Sequence, residues 1–214
     1  MKVAIFDFDG TLLRGNSWHL FYWWMVRRHA GRAPWLLLLL LFRRLGLISA
    51  RNLKEQTLAI WRGRSRAEVA EMGREVYTRC LGPRMRPAAL REIAERRGEG
   101  CEIALVSGAF EFLIAPFAEA QAIRRWQATR LAFAADGRCA GRIDGSEVVG
   151  DEKLMAARAL FSGVTVDWAE SVAYGDEWTD LPLLSIVGRP VWVRNRRRPP
   201  AGLPPGCSQA EWGD

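Results

Sequence analysis

The chain has 214 residues, of which 49% are hydrophobic and 26% are charged, a composition typical of a globular protein with one core and a smaller appended module. The formal net charge is +7, but nearly all of the basic charge is arginine spread along the chain, so we expect no nucleic-acid partner. The basic run at residues 194–200 is interpreted as a solvated tail segment.

The four cysteines show no spacing that is typical of a metal site or a redox pair. They are Cys80, Cys101, Cys139 and Cys207, with no CxxC pair among them. No secretory signal precedes the first predicted strand. We therefore expect reduced thiols in a cytoplasmic protein.

The first predicted element is a strand, followed by a long helical region. The stretch KVAIFDFDG has the apolar run of a buried strand and ends at a glycine turn. Residues 16–83 lack glycine-punctuated β runs and are rich in leucine and aromatic residues. In this region Val69, Met72, Val76 and Cys80 follow helical spacing, which predicts an amphipathic helix.

The chain then alternates helices with strands. A helix is predicted from just after Pro87 to Gly98, and CEIALVSGA is predicted to be a buried strand that ends in a glycine turn. The next helix, FEFLIAPFAEAQ, should be interrupted or kinked at Pro116, because proline has no backbone N–H to donate. A β-hairpin that turns at Asp136-Gly137 follows.

Three further elements complete the pattern. A helix is predicted for DEKLMAARALF. The stretch ESVAYGDEWTDLPLL predicts a third strand, a glycine turn and a helix start, and PVWVRN predicts a last strand. Alternating strands and helices predict an α/β fold, a Rossmann-like, doubly wound parallel sheet. The predicted domains are a catalytic core of residues 1–13 and 86–214, and a helical cap of residues 14–85 inserted after the first strand.

Polar side chains stand at the ends of the predicted strands. They are Asp7, Asp9, Ser107, Asp176 and Asp180, with Lys153 at the start of a helix. Ligands bind beyond the carboxyl ends of the strands in such sheets. Clustered carboxylates suit Mg²⁺, and the lysine, the serine and backbone N–H groups at helix starts suit a phosphate. The pattern therefore indicates phosphoryl transfer.

Four short motifs resemble a known family. DFDGT at residues 7–11, VSG at 106–108, the lysine of GDEK and GDEWTD at 175–180 resemble, in order, the four signature motifs of the haloacid dehalogenase superfamily. The insertion between the first two motifs and the RIDG…GDEK approach to the lysine are similar to the phosphoserine-phosphatase-like branch, subfamily IB, which carries a small helical cap.

The resemblance implies that Asp7 and Asp9 are the catalytic residues. Asp7 is expected to attack phosphorus and form an aspartyl-phosphate. Asp9 is expected to protonate the leaving alkoxide and then to deprotonate the attacking water. An acid at this position favours phosphate ester hydrolysis over dehalogenation, because a halide needs no proton.

The resemblance also assigns phosphate, metal and supporting roles. Thr11, Ser107, Gly108 and Lys153 are the expected phosphate-binding residues. The expected Mg²⁺ ligands are Asp7, the backbone carbonyl of Asp9, and Asp176. Asp180 is expected to orient Lys153.

The expected reaction is Mg²⁺-dependent hydrolysis of a small phosphorylated metabolite or head group of the phosphoserine or phosphoethanolamine type. Asn16 stands where phosphoserine phosphatases carry a glutamate, and Trp18 where relatives acting on phosphoethanolamine or phosphocholine carry an acid. Both are candidate substrate-selecting residues. A phosphotransferase on the same core and an inactive binding scaffold remain alternatives.

The leucine-rich part of the predicted cap suggests a further alternative. The apolar run at residues 33–42 is too short to span a membrane, but aromatic and arginine neighbours suit a membrane interface. A membrane-associated phosphatase of lipid phosphates such as phosphatidylglycerophosphate, peripheral at the inner membrane face, is therefore open. The leucines can equally pack against other cap helices or a second subunit, and the oligomeric state stays open.

Overall fold

A seven-stranded sheet carries the fold in this computed structural model, which describes residues 1–194 and 199–213. Part of the basic run at 194–200 therefore lies outside the described residues. The strands are β1 (Val3–Phe6), β2 (Glu102–Phe110), β3 (Arg125–Phe133), β4 (Cys139–Asp144), β5 (Val172–Gly175), β6 (Arg189–Val193) and β7 (Ser208–Ala210). Their order is β4-β3-β2-β1-β5-β6-β7, and only the β3–β4 pairing is antiparallel among the described strands.

Eight α-helices lie in the described part of the chain. They are α1 (Ser17–Arg28), α2 (Ala33–Arg44), α3 (Ala50–Leu58), α4 (Arg66–Val76), α5 (Pro87–Gly98), α6 (Glu111–Ala120), α7 (Asp151–Leu160) and α8 (Leu181–Leu184). The first four lie between β1 and α5, and we call residues 14–85 the helical insertion. The predicted α/β class is confirmed, whereas the domain boundaries at residues 13 and 86 stay a prediction.

The two faces of β1 belong to different hydrophobic cores, as expected of a doubly wound sheet. Ala4 and Phe6 pack in the cluster that includes residues of α5, α6 and the helical insertion. Val3 and Ile5 alternate with them and pack in the cluster formed with α7 and α8. Because side chains alternate along a strand, one four-residue strand is buried on both faces.

Aromatic side chains attach the helical insertion to the core. The Phe21 ring of α1 lies 5.4 Å from the Phe112 ring of α6, and Trp61 lies 4.9 Å from the same ring. Phe21 and Trp61 themselves meet edge to face at 5.1 Å. Aromatic pairs at these distances add to the free energy of burial, so the insertion packs on the first turn of α6.

Two predicted details differ from the structure, and one strand was missed. Strand β2 does not end in a glycine turn, because it continues through Gly108 to Phe110 with a shift of register against β3. Pro116 lies inside α6 without interrupting it. Strand β7 was not predicted, since three residues of sequence give no periodicity to detect.

Gly73 allows α4 and α6 to approach closely. A Cβ atom at this position would lie 2.1 Å from the backbone oxygen of Phe112. Pro116 removes the N–H that would donate to this carbonyl within α6, so the oxygen is available to face the Gly73 backbone.

We expect Gly73→Ala to lower the free energy of unfolding by about 1–3 kcal/mol, the usual range for overpacking. By helix propensity alone, replacing glycine with alanine in a helix interior would raise stability. A loss of stability would therefore come from the contact of the new Cβ with Phe112. Gly98→Ala is the matched control, because nothing lies within 4 Å of its added Cβ. Urea unfolding of both variants measures the effect, and equal stability of Gly73→Ala and the wild type would contradict the close approach.

Candidate active site

A cleft of about 260 Å³ opens where β1 and β2 end, beneath the helical insertion. Strand β1 lies between β2 and β5, so the chain changes direction in the sheet at this point, where doubly wound folds bind ligands. The cleft is lined from the core by Asp7, Asp9, Ser107, Gly108, Ala109, Phe110, Val149, Lys153, Glu177 and Thr179, and from the helical insertion by Asn16, Trp18, His19, Ala50 and Lys54.

Lys153 joins two buried carboxylates at the floor of the cleft. Its ammonium group lies 2.9 Å from Asp7 Oδ1 and also forms an ion pair with Asp180 Oδ1. All three side chains are at most 5% exposed. Burial lowers the pKa of Lys153, but the charges of Asp180 and Asp7 outweigh burial and hold the pKa above its usual value. The lysine therefore stays charged in this site.

Both carboxylate oxygens of Asp180 form contacts within the protein. Its Oδ1 meets Lys153, while Oδ2 accepts the backbone N–H groups of Asp176 and Glu177 at 3.0 and 2.9 Å. Although its carboxylate lies within 4.8 Å of those of Asp7 and Asp176, it has little left to offer a cation. Its contacts agree with the predicted role of orienting Lys153.

Asp176 lies against the turn that follows Asp9. The Thr11 hydroxyl donates to Asp176 Oδ1 at 3.1 Å. Gly10 has a φ of +77°, and a Cβ there would lie 2.2 Å from Asp176 Oδ2. Glycine at position 10 thus serves both the left-handed turn and the approach of the carboxylate.

The buried carboxylates carry more negative charge than Lys153 offsets. Burial raises the pKa of Asp7 despite the ion pair with Lys153. Burial, with the charges of Asp7 and Asp180, raises the pKa of Asp176 to about 8. Asp7 Oδ1 meets Lys153 without hydrogen-bond geometry, and no described group hydrogen-bonds to this buried oxygen. The Asp7 and Asp176 carboxylates fit a divalent cation.

Asp9 is held by the first residue of α1. The Ser17 backbone N–H donates to Asp9 Oδ1 at 2.8 Å, and the Ser17 hydroxyl donates to Oδ2 at 3.0 Å. Burial raises the pKa of Asp9 to about 6, although both bonds from Ser17 lower it. A carboxyl group in this pKa range can donate and accept a proton near neutral pH.

Thr129 fixes the irregular part of β2. Its hydroxyl donates to the backbone oxygen of Gly108 at 2.9 Å and accepts the Val148 N–H at 3.1 Å. Ser107 and Gly108 line the cleft next to this point. One buried hydroxyl therefore joins the predicted phosphate-binding strand end to the loop that precedes α7.

An ion pair joins the helical insertion to the core at the side of the cleft. Lys54 of α3 bonds to Glu147, and both side chains are less than one-fifth exposed. The Lys54 ammonium also lies 5.9 Å from the centre of the Phe110 ring. The cleft is thus lined here by the Lys54 cation and the Phe110 ring, with Glu147 behind Lys54 as its ion-pair partner.

The structure brings the predicted residues together in two layers. Seven line the cleft: Asp7, Asp9, Asn16, Trp18, Ser107, Gly108 and Lys153. Thr11, Asp176 and Asp180 lie buried below it. The Thr11 hydroxyl bonds to Asp176 and does not line the cleft. The predicted contact of Thr11 with phosphate stays a prediction. Asn16 caps α1 by accepting the His19 N–H.

Sequence reasoning missed four residues of this neighbourhood: Ser17, Lys54, Thr129 and Glu147. Ser17 follows Asn16 directly at a helix start, which is a signal for capping but not for contact with Asp9. Lys54 is one of only three lysines in the chain, but only the packing of α3 shows that it faces the cleft. Thr129 and Glu147 carry no signal of their own.

Comparison with known proteins identifies the family. A family model described as haloacid dehalogenase-like hydrolase matches residues 4–185. This chain belongs to that family. The match includes the helical insertion and strands β2 to β5 in full, and the predicted recognition and the predicted hydrolase activity are confirmed.

Relatives include proteins named as phosphatases. Protein CicA of Caulobacter vibrioides is 27% identical over 190 residues, 86% of this chain and 82% of that protein. A histidinol-phosphatase of Neisseria meningitidis is 24% identical over 99% of this chain and 96% of its own length. Phosphoserine phosphatase SerB1 of Mycobacterium tuberculosis is 28% identical over 89% of this chain and 64% of its own length.

Solved structures share the fold. A protein of unknown function from Bordetella pertussis superposes with a TM-score of 0.74 at 26% identity, over 90% of this chain and 89% of that one. A phospho-aspartyl intermediate analogue of phosphoserine phosphatase superposes with a TM-score of 0.59 at 20% identity, over 90% and 86%. The predicted phosphoserine-phosphatase-like fold is therefore confirmed.

We expect Asp176→Asn to be at least as stable as the wild type in EDTA at pH 7.5. An acid whose pKa is raised in the folded protein destabilises it as pH rises above the pKa of the unfolded chain, about 4. Asparagine removes that charge. Asp180→Asn should instead lose roughly 3 kcal/mol or more, because it breaks a buried ion pair.

Urea unfolding at pH 5 and pH 7.5 checks both expectations. The advantage of Asp176→Asn should grow with pH, whereas Asp180→Asn should be the weaker protein at both values. A marked loss of stability in Asp176→Asn without metal would contradict the charge balance described for this site.

Proposed function

We propose that this protein is a Mg²⁺-dependent phosphomonoester hydrolase that forms an aspartyl-phosphate on Asp7. The observation that carries this proposal is the meeting of Asp7, Lys153 and the Ser107–Gly108 strand end at one cleft, with Asp9 held beside them. We propose small phosphorylated metabolites or head groups of the phosphoserine or phosphoethanolamine type as substrates. A cytoplasmic location remains a prediction.

In the first step, an Asp7 carboxylate oxygen attacks phosphorus and the bond from phosphorus to the leaving oxygen breaks. Lys153, Ser107 and the Gly108 N–H hold the phosphate oxygens and offset their negative charge. Asp9 gives its proton to the leaving oxygen, so that an alcohol departs instead of an alkoxide.

In the second step, water attacks the phosphorus of the aspartyl-phosphate. Asp9, now ionised, takes a proton from this water, and the bond between phosphorus and the Asp7 oxygen breaks. Inorganic phosphate leaves and both aspartates return to their starting forms. Asp180 keeps Lys153 in position throughout.

Mg²⁺ would be held by the carboxylates of Asp7 and Asp176 and the carbonyl of Asp9, where it would offset the repulsion between carboxylates and phosphate. The charge set agrees with this: three buried carboxylates lie close together against one ammonium. Gly10 and Thr11 hold Asp176 in place for such a contact.

The outer cleft supports a small charged leaving group. Lys54 can bind an anionic group of the substrate and Glu147 a cationic one, each by exchanging its present ion-pair partner. Relatives named histidinol-phosphatase and phosphoserine phosphatase take their names from phosphate esters that carry an amine. This agrees with a substrate of the amino alcohol or amino acid type.

A second candidate substrate class is a lipid phosphate. Leucines of the run at 36–41 divide between the core and solvent, with Leu37, Leu38 and Leu41 exposed. No helix among the described residues has the length and apolar character to cross a bilayer. A lipid substrate would therefore have to be met at the membrane surface by the helical insertion.

We expect Asp7→Asn to abolish phosphate release from a panel of phosphoserine, phosphoethanolamine, phosphocholine, sugar phosphates and short-chain lipid phosphates, assayed with Mg²⁺. The amide cannot act as the nucleophile. Asp151→Asn, at the exposed start of α7, is the matched control and should stay active. EDTA should remove wild-type activity and excess Mg²⁺ restore it.

Turnover by Asp7→Asn near the wild-type rate would overturn the nucleophile assignment. Adding a second alcohol to the same assay distinguishes hydrolysis from phosphotransfer, because a transferase would give a new phosphate ester at the expense of inorganic phosphate.

We expect Ser17→Ala to slow substrates with poor leaving groups more than p-nitrophenyl phosphate. Ser17 positions Asp9, and protonation of the leaving oxygen matters least for a good leaving group. The loss should stay below the factor of about 10²–10⁴ that general acid catalysis contributes in full, because the backbone N–H at position 17 still donates to Asp9 Oδ1. Ser162→Ala, in an exposed turn, is the control; an equal loss on both substrate types in Ser17→Ala would indicate a purely structural role.

A further inference from the structure

The helical insertion exposes a concentrated apolar surface. Of twelve large hydrophobic side chains that are exposed in the described residues, seven lie between Trp23 and Leu47. We call six of them the leucine face: Trp35, Leu37, Leu38, Leu41, Leu45 and Leu47, each between 37% and 67% exposed. Large exposed apolar patches on a monomer mark contact sites.

Internal packing accounts for only one side of α2. Leu36 and Leu39 are 0% and 2% exposed and belong to the main hydrophobic cluster. Leu37, Leu38 and Leu41 lie on the opposite side of the same helix and remain open to solvent. Packing of the insertion helices on one another therefore does not explain why the outer side is apolar.

The net charge of residues 10–54, the segment that contains the leucine face, favours an anionic partner. Between Asp9 and Glu55 the sequence contains no aspartate or glutamate, but it contains seven arginines and Lys54. The net charge of this segment is thus +8, against +7 for the whole chain, so the rest of the protein is close to neutral. The basic surplus of the protein belongs to the segment that carries the leucine face.

The arginines lie beside the leucine face. Arg43 and Arg44 end α2 directly before Leu45, and Arg32 directly precedes the first residue of α2; all three are exposed. A second copy of the chain docked through this face would bring like charges together. An anionic bilayer instead offers acyl chains to the leucines and phosphates to the arginines.

The leucine face leads directly to the cleft. Leu45 and Leu47 lie in the connection between α2 and α3, and α3 then provides Ala50 and Lys54 to the lining of the cleft. A surface that binds this connection would therefore lie three residues along the chain from the first α3 residue of the cleft lining, Ala50.

We propose that the leucine face is a docking surface for anionic membranes. The leucines and Trp35 enter the interfacial layer, and the flanking arginines contact lipid phosphates. This proposal goes beyond the phosphatase reaction and does not depend on turnover, since binding to the bilayer is a property of the helical insertion. It would bring the cleft to substrates at the membrane surface.

Vesicle flotation with the full chain tests the proposal. We expect the protein to float with vesicles of phosphatidylcholine mixed with phosphatidylglycerol at low salt, and to bind vesicles of phosphatidylcholine alone much more weakly. Binding should fall as salt increases, because the lipid charge is screened. Replacing Arg44 by Gln should weaken binding about fivefold, as expected for one basic residue near an anionic surface.

The double variant Leu38→Glu/Leu41→Glu should stay unbound, since it places acids in the apolar layer. Met155→Glu is the matched control, because Met155 is 62% exposed on α7, outside the helical insertion, and should bind as the wild type does. Hydrolysis of p-nitrophenyl phosphate by both variants at the wild-type rate shows that fold and catalysis are intact. The salt and lipid dependence of the wild type tests the proposal even if a variant fails to fold.

Three results would overturn the proposal: a wild-type protein that stays unbound with anionic vesicles at low salt, a double variant that floats like the wild type, or light scattering that shows a dimer lost in the double variant. The last result would assign the face to a second subunit. Each is distinguishable from failure of the proposed phosphatase reaction, because the p-nitrophenyl phosphate assay reports that reaction separately.

Discussion

The charge balance around Lys153 is the constraint on which the rest of the site depends. Its ammonium joins Asp7 from the end of β1 to Asp180 from the segment after β5, and it comes itself from α7. Three separate parts of the chain are thus held together by one buried cation. The Asp176 carboxylate lies beside this group, so three buried carboxylates share one ammonium. This negative excess suits a divalent metal ion, which would in turn offset the charge of a phosphate.

The helical insertion covers the cleft and also contributes side chains that contact its residues. Ser17 holds the Asp9 carboxylate, and Lys54, which lines the cleft, forms an ion pair with Glu147 of the core. Any movement of the insertion would therefore change the contacts of the proposed acid and of the outer cleft together. The same insertion carries the leucine face, so one element combines the positioning of Asp9 with the proposed contacts with the leaving group and with a membrane.

The sequence was sufficient for the core of the site and insufficient for its surroundings. Asp7, Lys153, Asp176 and Asp180 could be predicted because each stands at a strand end or helix start, and the ends of parallel strands meet at one edge of the sheet. Ser17, Thr129 and Glu147 could not, because their contacts depend on tertiary packing. Strand β2 extends past Gly108, where the Thr129 hydroxyl donates to the Gly108 carbonyl, a bond that no local pattern indicates. The leucine run predicted an apolar segment, but only the structure separates Leu36 and Leu39 inside from Leu37 and Leu41 outside.

Chemical trapping of the covalent intermediate tests the central claim most directly. The wild-type protein is mixed with substrate and Mg²⁺, quenched and treated with borohydride, which reduces an aspartyl-phosphate to homoserine, and the peptide that contains residues 3–13 is sequenced by mass spectrometry. The account predicts homoserine at position 7 and unchanged aspartate at position 9, with neither position altered when substrate is omitted. Homoserine at position 9, or none at either position while phosphate is being released, would contradict it.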